Sequence, residues 1–440
     1  MESNSTPPPS RRRATHRGIA ALSVAAIVFG AGMTACSSSP SSSAPAAGAS
    51  SSGSPSSAAV GTYTVWDPYP QFTQGSSWTA LLSRCGSEAG VTVKRTAFDT
   101  TALTSKVLLA AQQGAAPDVL IVDNPVVSTL AEAGVLTDTT ENHINVSSVE
   151  PNLLGAGEYN GNTYGIPIGA NTLALYYNKN IVKAAGVDPA TITDWSSLTA
   201  ALAKVKAIGK VAITFSAIGT EEGSFQFEPW FWGAGANLTD LNSSAADAAL
   251  ALWTSWLKAG YATNSVINDT QTTSWQEFAA GNTAFSENGT WQLGNAQKAG
   301  FPYGIMPIPA EHGGAAPVPT GGEFITVPVQ SDTSRYATSE KIVSCLSAAG
   351  NAYMTDNTLS YVAASAAVQA KQVTTEPALG VWVQAVHAGK ARTGDNLGTN
   401  YPKISQQLWT AVQAALSGAA SPQAALASAQ SAAASATNGK

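Results

Sequence analysis

Apolar and polar positions follow two alternating periods from residue 62 onward. Short apolar runs at 63–66, 91–93 and 118–122 have the length of strands. The intervening segments carry apolar residues three or four positions apart, as in 78–85, which is the spacing of one helical face. This order of strand and helix predicts a parallel sheet covered by helices on both faces.

A second series of the same kind follows. The runs at 173–177 and 211–215 have strand length, and 195–205 has a helical pattern that Thr193 or Asp194 can cap. The sequence therefore predicts two α/β units. The alanine-rich segment from Ser421 onward predicts a final helix exposed to solvent.

The N-terminus has the pattern of a secretory signal. Four arginines between residues 11 and 17 precede an uncharged apolar stretch at 18–33, which is too short and wrongly flanked for a membrane span. The sequence Met-Thr-Ala-Cys at 33–36 resembles a bacterial lipobox, so residues 1–36 are expected to be a lipoprotein signal peptide with Cys36 lipidated. The alternative is an ordinary signal peptide in which Cys36 stands by chance.

Residues 37–60 consist almost entirely of serine, alanine, proline and glycine. Such a segment cannot bury enough apolar surface to fold, so we expect a disordered tether. A lipid, a tether and a folded body together predict an extracytoplasmic protein on the outer face of the cell membrane, held by the lipid anchor alone.

Charge and cysteine content exclude several classes of function. The chain has 28 acidic and 22 basic residues. Cleavage of the expected signal would remove four arginines and one glutamate, leaving 22 − 4 = 18 basic and 28 − 1 = 27 acidic residues. Since the remaining chain is acidic and has no basic cluster, nucleic acid is not expected as a partner. Beyond Cys36 only Cys85 and Cys345 remain, and the four histidines are scattered. We therefore expect no metal site and no cofactor.

Six short motifs occur along the chain in a fixed order. They are Gly-Ala-Ala-Pro-Asp-Val at 114–119, Tyr-Gly-Ile-Pro at 164–167, Leu-Tyr-Tyr-Asn-Lys at 175–179, Phe-Ala-Ala-Gly-Asn at 278–282, Asn-Gly-Thr-Trp at 288–291 and Ser-Pro-Gln-Ala-Ala-Leu at 421–426. With these motifs in this order, the chain resembles the extracellular solute-binding proteins of carbohydrate ABC importers, the group that includes maltose-binding protein. One departure is Phe285, where the family usually has a methionine.

The resemblance implies a class II periplasmic-binding-protein fold, with two doubly wound α/β lobes joined by a multi-crossing hinge and a ligand cleft between them. Lobe 1 is expected to be 61–168 and 320–356, and lobe 2 to be 169–319 and 357–440. The implied protein is not an enzyme. It captures a small molecule, here a sugar or oligosaccharide, by lobe closure and delivers it to the transmembrane subunits of an ABC permease, and it is expected to be a monomer.

Candidate ligand-binding residues follow from the chemistry of sugars. Aromatic rings cover the apolar faces of a sugar, and carboxylates or amides bond to its hydroxyls. Core packing is the alternative for Trp66, Trp230 and Trp232, as helix capping is for Asp123 and Asn124. The candidates are Trp66, Asp67, Asp123, Asn124, Phe227, Glu228, Trp230, Trp232, Trp291, Gly321, Gly322, Glu323, Arg392 and Tyr401.

Other interpretations stay open at this point. The solute could be a polyamine, an oligopeptide or an organic anion, and the acids near Glu221 also permit a secreted glycoside hydrolase.

Cys85 and Cys345 are expected to form a disulfide, because both fall on helices assigned to lobe 1 and the expected compartment is oxidising. Two free thiols are the alternative.

Overall fold

Strands and helices alternate through the part of the chain that the structure, a computed structural model, describes: residues 61–395 and 397–437. The expected signal peptide, Cys36 and the tether lie outside the described residues. In chain order the strands are Thr62–Asp67 (β1), Thr92–Ala97 (β2), Val119–Asp123 (β3), Leu136–Thr137 (β4), Glu158–Tyr159 (β5), Asn162–Thr163 (β6), Ile166–Pro167 (β7), Gly169–Ala170 (β8), Leu173–Asn178 (β9), Val211–Thr214 (β10), Thr283–Gly289 (β11), Tyr303–Met306 (β12), Pro319–Thr320 (β13), Glu323–Pro328 (β14), Val362–Ala363 (β15) and Lys390–Ala391 (β16).

The helices surround these strands. None of those in the described ranges has both the length and the apolar character needed to cross a membrane. In chain order they are Ser77–Glu88 (α1), Thr100–Gln112 (α2), Val127–Glu132 (α3), Pro151–Leu154 (α4), Lys179–Ala184 (α5), Trp195–Ala207 (α6), Glu221–Gly233 (α7), Ser244–Lys258 (α8), Gln271–Ala279 (α9), Leu293–Ala296 (α10), Tyr336–Ser347 (α11), Ala349–Leu359 (α12), Ala366–Thr375 (α13), Gly380–His387 (α14), Tyr401–Leu416 (α15) and Pro422–Ala436 (α16).

The first sheet has the strand order β2-β1-β3-β14-β4, with β7 also paired to β14. We call this sheet and the helices on it the first lobe. Alternate residues of β3 enter different cores: Ile121 packs with the residues of α1 and α11, whereas Leu120 and Val122 pack with those of α2 and α3. This two-sided burial explains the continuous apolar run of the strand. β1, β2 and β3 are parallel, as predicted, whereas β14, which the chain adds after the second lobe, runs antiparallel to β3.

The second sheet has the order β10-β11-β9-β12 and, with its helices, forms the second lobe. Only β10 and β11 are parallel, and β9 runs antiparallel to both of its neighbours. Its main core is rich in aromatic residues, including Phe215, Trp253 and Trp256, which have no exposed surface. Of the two caps that the sequence allowed for α6, Asp194 forms a capping box with Ser197.

The chain passes between the two sheets three times. It leaves the first sheet after β7, returns through β13 to β14, and crosses again between α12 and β15. A β-bridge between Asn171 and Gly321 joins the first two crossing segments, and the pairing of β15 with β8 joins the third to the first. The hinge is thus a small set of short strands rather than one flexible linker.

The last helix differs from its prediction. Leu426, Ala429 and Ala433 on α16 are buried, and the helix packs against α8 and α15. Small alanine side chains allow two helices to approach closely, so this alanine-rich segment belongs to the core of the second lobe and is not a solvent-exposed helix.

The structure joins Cys85 on α1 to Cys345 on α11 by a disulfide, with the Cα atoms 5.6 Å apart. Both helices lie on the same face of the first sheet, where the side chain of Cys85 is fully buried. The bond links segments 260 residues apart in the chain. It therefore ties the start of the first lobe to the part that is added after the chain has returned from the second lobe.

Cys85→Ala/Cys345→Ala should lower the free energy of unfolding by about 3 kcal/mol, because an open chain loses more entropy on folding than a cross-linked one. Urea denaturation measures this difference. Wild-type protein treated with dithiothreitol is the control and should match the double variant. Two titratable thiols from these cysteines in unreduced, denatured protein would contradict the bridge.

Candidate ligand-binding cleft

A cleft of about 1140 Å³ lies between the two lobes. Both lobes and the hinge contribute to its walls. Six aromatic residues line it: Tyr69, Phe72, Phe225, Trp275, Trp291 and Tyr361. Amide side chains lie among them, including Gln71, Asn171, Gln271, Gln292, Asn295 and Asn357. Flat apolar rings alternating with amides suit a ligand that has both apolar faces and hydroxyl groups.

Arg392 connects the two lobes at the base of the cleft. Its guanidinium donates to both carboxylate oxygens of Asp123, at 2.6 and 3.0 Å, and to the side-chain oxygen of Asn124 at 2.9 Å, all in the first lobe. The same group donates to Glu221 Oε1 of the second lobe at 2.8 Å and lies 4.8 Å from the ring centre of Phe225. Since Arg392 is 3% exposed, these bonds form in a largely water-free environment, where they are strong.

Glu221 continues the network into the second lobe. The Tyr401 hydroxyl lies 2.6 Å from Glu221 Oε1 and 2.8 Å from Glu228 Oε1. A tyrosine hydroxyl has one proton to donate, so one of the two carboxyl groups must itself be the donor. Burial and the nearby charge of Glu221 raise the pKa of Glu228 well above its usual range. Of the two carboxyl groups, Glu228 is therefore the one that more strongly favours the protonated form.

Glu323 forms a second polar centre on the wall of the cleft. It accepts hydrogen bonds from the hydroxyl of Tyr69 at 2.9 Å and from that of Tyr361 at 3.3 Å. Burial and the charge of Asp123 raise the pKa of Glu323 to about 7. Its carboxyl group can therefore either accept or donate a hydrogen bond near neutral pH.

The loop that carries Tyr69 is fixed from behind. Asp67 accepts hydrogen bonds from the backbone N–H of Tyr69 and from the indole of Trp78, both at 3.0 Å. Arg95 donates to Asp67 at 2.7 Å and to the carbonyl oxygen of Phe72. Asp67 has no exposed surface, so it supports the cleft wall, and its predicted contact with the ligand was wrong.

The structure places five of the predicted residues on the cleft wall, namely Asp123, Trp291, Gly322, Glu323 and Arg392. Trp291 is partly exposed, lies 6.3 Å from Phe225 between ring centres, and packs against the cores of both lobes. This position between the lobes is the one that a ligand-stacking residue requires.

The predictions on α7 were wrong. Phe227 and Trp230 have no exposed surface and Trp232 is almost completely buried. Trp230 packs edge-on against Trp256 and donates to Glu287 at 2.8 Å within the core. Only the first turns of α7 reach the cleft, through Glu221, Glu222 and Phe225, because the helix runs from the cleft into the core.

Four other predicted residues also lie off the cleft wall. Trp66 packs edge-on against Phe98 on the far side of the first sheet. Asn124 is buried, and its amide group bonds to Arg392 and to the carbonyl of Thr320. Gly321 lies behind the wall, and Tyr401 is buried beneath Glu221. Glu228 is likewise buried and contacts Tyr401. Asn124 and Tyr401 thus support Arg392 and Glu221, which line the cleft.

Several lining residues were not predicted. Tyr69, Trp275, Tyr361 and Asn171 belong to segments with no distinctive motif. Phe225 lies in the segment 221–232, whose acids and aromatic residues did indicate the cleft, but other residues of that segment were chosen as candidates. Tyr69 could have been considered because it follows the first strand in a parallel α/β unit. No group of three or more acidic, histidine or cysteine residues arranged to hold a metal ion occurs in the described ranges.

Glu323→Gln should remove one pH-dependent contribution to stability. The folded protein retains a proton on Glu323 up to about pH 7, whereas an unfolded chain releases it above about pH 4.5. The wild type should therefore lose about 3 kcal/mol of unfolding free energy relative to the variant between pH 4.5 and 7.5. Urea denaturation at each pH measures this, with exposed Glu132→Gln as the control. If the difference in unfolding free energy between wild type and variant stayed constant over this pH range, the raised pKa of Glu323 would be contradicted.

Comparison with known proteins agrees with this geometry. The profile of the bacterial extracellular solute-binding proteins matches residues 80–381. A binding protein of Brucella abortus (strain 2308) is 30% identical over 167 residues, which are 35% of this chain and 40% of that protein. A maltodextrin-binding protein of Bacillus subtilis is 28% identical over 222 residues, 48% of this chain and 51% of that protein. The chain thus spans between two fifths and about half of the length of these relatives.

The fold is shared with solved structures. The GacH receptor of Streptomyces glaucescens, solved unliganded and in complex with acarbose, superposes with a TM-score of 0.73 at 23% identity, covering 86% of this chain and 99% of that receptor. This likeness shows a periplasmic-binding-protein fold. Since the family profile covers more than half of its length, the chain belongs to the family of bacterial extracellular solute-binding proteins.

Proposed function

We propose that this protein is the capture component of an ABC importer and that its cleft binds a sugar, most suitably an oligosaccharide. The observation that carries the proposal is the cleft wall, in which Trp291, Phe225 and Trp275 lie among buried hydrogen-bonding groups. Rings of this kind cover the C–H faces of sugars. Asn171 and Glu323 supply acceptors for hydroxyl groups.

The charges in the cleft support a ligand without negative charge. Arg392 is already bonded to Asp123 and Glu221, so its charge is neutralised by the protein. The remaining lining cation, Lys298, is exposed and faces a cleft with an excess of carboxyl groups. An organic anion would require convergent free cations, which this arrangement does not offer. A polyamine and an oligopeptide are the remaining alternatives among small solutes.

The size of the cleft supports more than one sugar unit. Its volume of about 1140 Å³ exceeds the range of about 300 to 1000 Å³ that is usual for drug-sized ligands. The relatives agree with this interpretation: one is named a maltodextrin-binding protein and another is a receptor crystallised with acarbose. Capture follows from lobe closure, because a ligand that contacts both walls stabilises the closed state by its differential affinity for the two states.

The location and the partners belong to the same proposal. A lipid on Cys36 followed by the 37–60 tether would hold the folded body near the membrane, where it delivers the ligand to the transmembrane subunits of the importer. A monomer, with one cleft between its two lobes, is sufficient for this role.

Trp291→Ala should weaken sugar binding by about tenfold to thirtyfold, since one stacked sugar face buries roughly 60 to 80 Å², equivalent to about 1.5 to 2 kcal/mol. We would first identify a ligand by thermal shift with maltodextrins, other oligosaccharides and polyamines, and then titrate wild type and variant calorimetrically. Trp66→Ala, a partly exposed tryptophan outside the cleft, is the matched control and should bind normally.

The panel also tests the alternatives. If only polyamines stabilise the protein, its ligand is a polyamine cation and not a sugar. Release of shorter products from an oligosaccharide would indicate a hydrolase. Unchanged affinity in Trp291→Ala, together with a lower melting temperature, would place Trp291 in the core and remove it from the ligand site.

Cys36→Ser should release the protein from the membrane without changing its ligand affinity, because the anchor and the cleft lie in separate parts of the chain. Membrane and soluble fractions are compared by immunoblotting, and Ser50→Ala, a substitution within the 37–60 segment, is the control. Full membrane retention of correctly processed Cys36→Ser would show that another element anchors the protein.

A further inference from the structure

Gly289 occupies a position where the backbone does not need glycine. It ends β11 and pairs with Leu173 in the sheet, and its φ of −103° is ordinary extended backbone that any residue can adopt. Glycine within a strand costs stability relative to a residue with a side chain. The reason for glycine must therefore be space.

The space is filled by Trp291. A Cβ atom on Gly289 would lie 2.1 Å from Cζ3, 2.3 Å from Cη2 and 2.5 Å from Cε3 of the indole. The benzene ring of Trp291 therefore lies directly on the backbone of Gly289. A methyl group there would displace the ring, since these distances are far below van der Waals contact.

The backbone beneath the ring cannot easily move away. The carbonyl of Gly289 accepts a bond from the buried hydroxyl of Tyr176 at 2.9 Å, and its N–H donates to the side chain of Asn288 at 3.0 Å. The following N–H, of Thr290, donates to the carbonyl of Thr172 at 3.2 Å. Any displacement must therefore be taken up by the indole, which is partly exposed in the cleft.

We infer that Gly289 is a positioning residue for ligand recognition: by leaving room for the indole on the strand, it sets the orientation in which Trp291 meets the ligand. This inference rests on the proposed function only for its effect on affinity, because the seating of the ring is a property of the unliganded protein. Gly289 itself needs no contact with the ligand.

The second sheet contains a matched control. Gly304 lies on β12, directly opposite Tyr177, and a Cβ atom there would lie 2.1 Å from Cζ of the Tyr177 ring. Gly304→Ala thus creates the same kind of clash in the same sheet, but against a ring that does not line the cleft. General disturbance of the sheet should appear in both variants, whereas displacement of Trp291 should appear in Gly289→Ala alone.

The first measurement needs no ligand. Each of the 11 tryptophans contributes an indole N–H signal to a nitrogen–proton correlation spectrum, and Trp291→Ala assigns one by its disappearance. Gly289→Ala should shift that signal more than any other, and Gly304→Ala should leave it in place. An unmoved Trp291 signal in folded Gly289→Ala would overturn the inference, whatever the protein binds.

The second measurement is calorimetric titration with maltotriose, or with the panel ligand if maltotriose does not bind. Gly289→Ala should lose about tenfold in affinity, similar to Trp291→Ala, and Gly304→Ala should bind normally. Added to Trp291→Ala, the Gly289→Ala change should cause no further loss, because the ring through which it acts is gone. A further loss in the double variant, or normal affinity in Gly289→Ala, would overturn the role. Absence of any sugar binding by wild type would instead reject the proposed function.

Discussion

The ion pairs of Arg392 are the interaction on which the arrangement of the cleft depends. One guanidinium bonds to Asp123 and Asn124 of the first lobe and to Glu221 of the second. Without it, two partly buried carboxylates from opposite lobes would face each other, a costly arrangement where little water screens their charges. Arg392 thus turns a repulsive contact between the lobes into a stable one.

The network also explains why other acids nearby can remain neutral. Arg392 offsets the charge on Asp123 and Glu221, but it cannot also balance Glu228, which is buried beyond Tyr401 and whose pKa is raised well above its usual range by burial and by Glu221. Burial thus favours the protonated form of Glu228. On the cleft wall, Arg392 pairs its charge with Asp123 and Glu221, so that charge is not available to an anionic ligand.

Much of the fold could be predicted from sequence because its signals are local. The run at 118–122 and the face that includes Cys85 depend only on neighbouring residues, and strands and helices form there as expected.

The site could be predicted only in part. Glu323 and Trp291 belong to family-like motifs at the hinge and the cleft, but the stripe from Phe227 to Trp232 gives no sign of where its helix leaves the cleft. That depends on packing against α8 and α15, which is a long-range property. The antiparallel strand β14 was not predicted for the same reason, since the chain returns to it from the other lobe.

Under the proposed function, the cleft must combine rigid recognition surfaces with lobes that can rotate. The structure separates these demands. Trp291 lies on Gly289, and Phe225 lies between the guanidinium of Arg392 and Gly321, where a Cβ atom would lie 2.9 Å from its ring. Each ring thus lies in close contact with a glycine backbone: Trp291 with Gly289 of the strand that precedes it, and Phe225 with Gly321 of a crossing segment. The Arg392 bonds, by contrast, lie beside the crossing segments, since Asn124 also bonds to the carbonyl of Thr320. Atoms near a rotation axis move least when the lobes rotate, so these bonds can persist while the outer walls, with Tyr69 on one side and Trp275 on the other, change their separation.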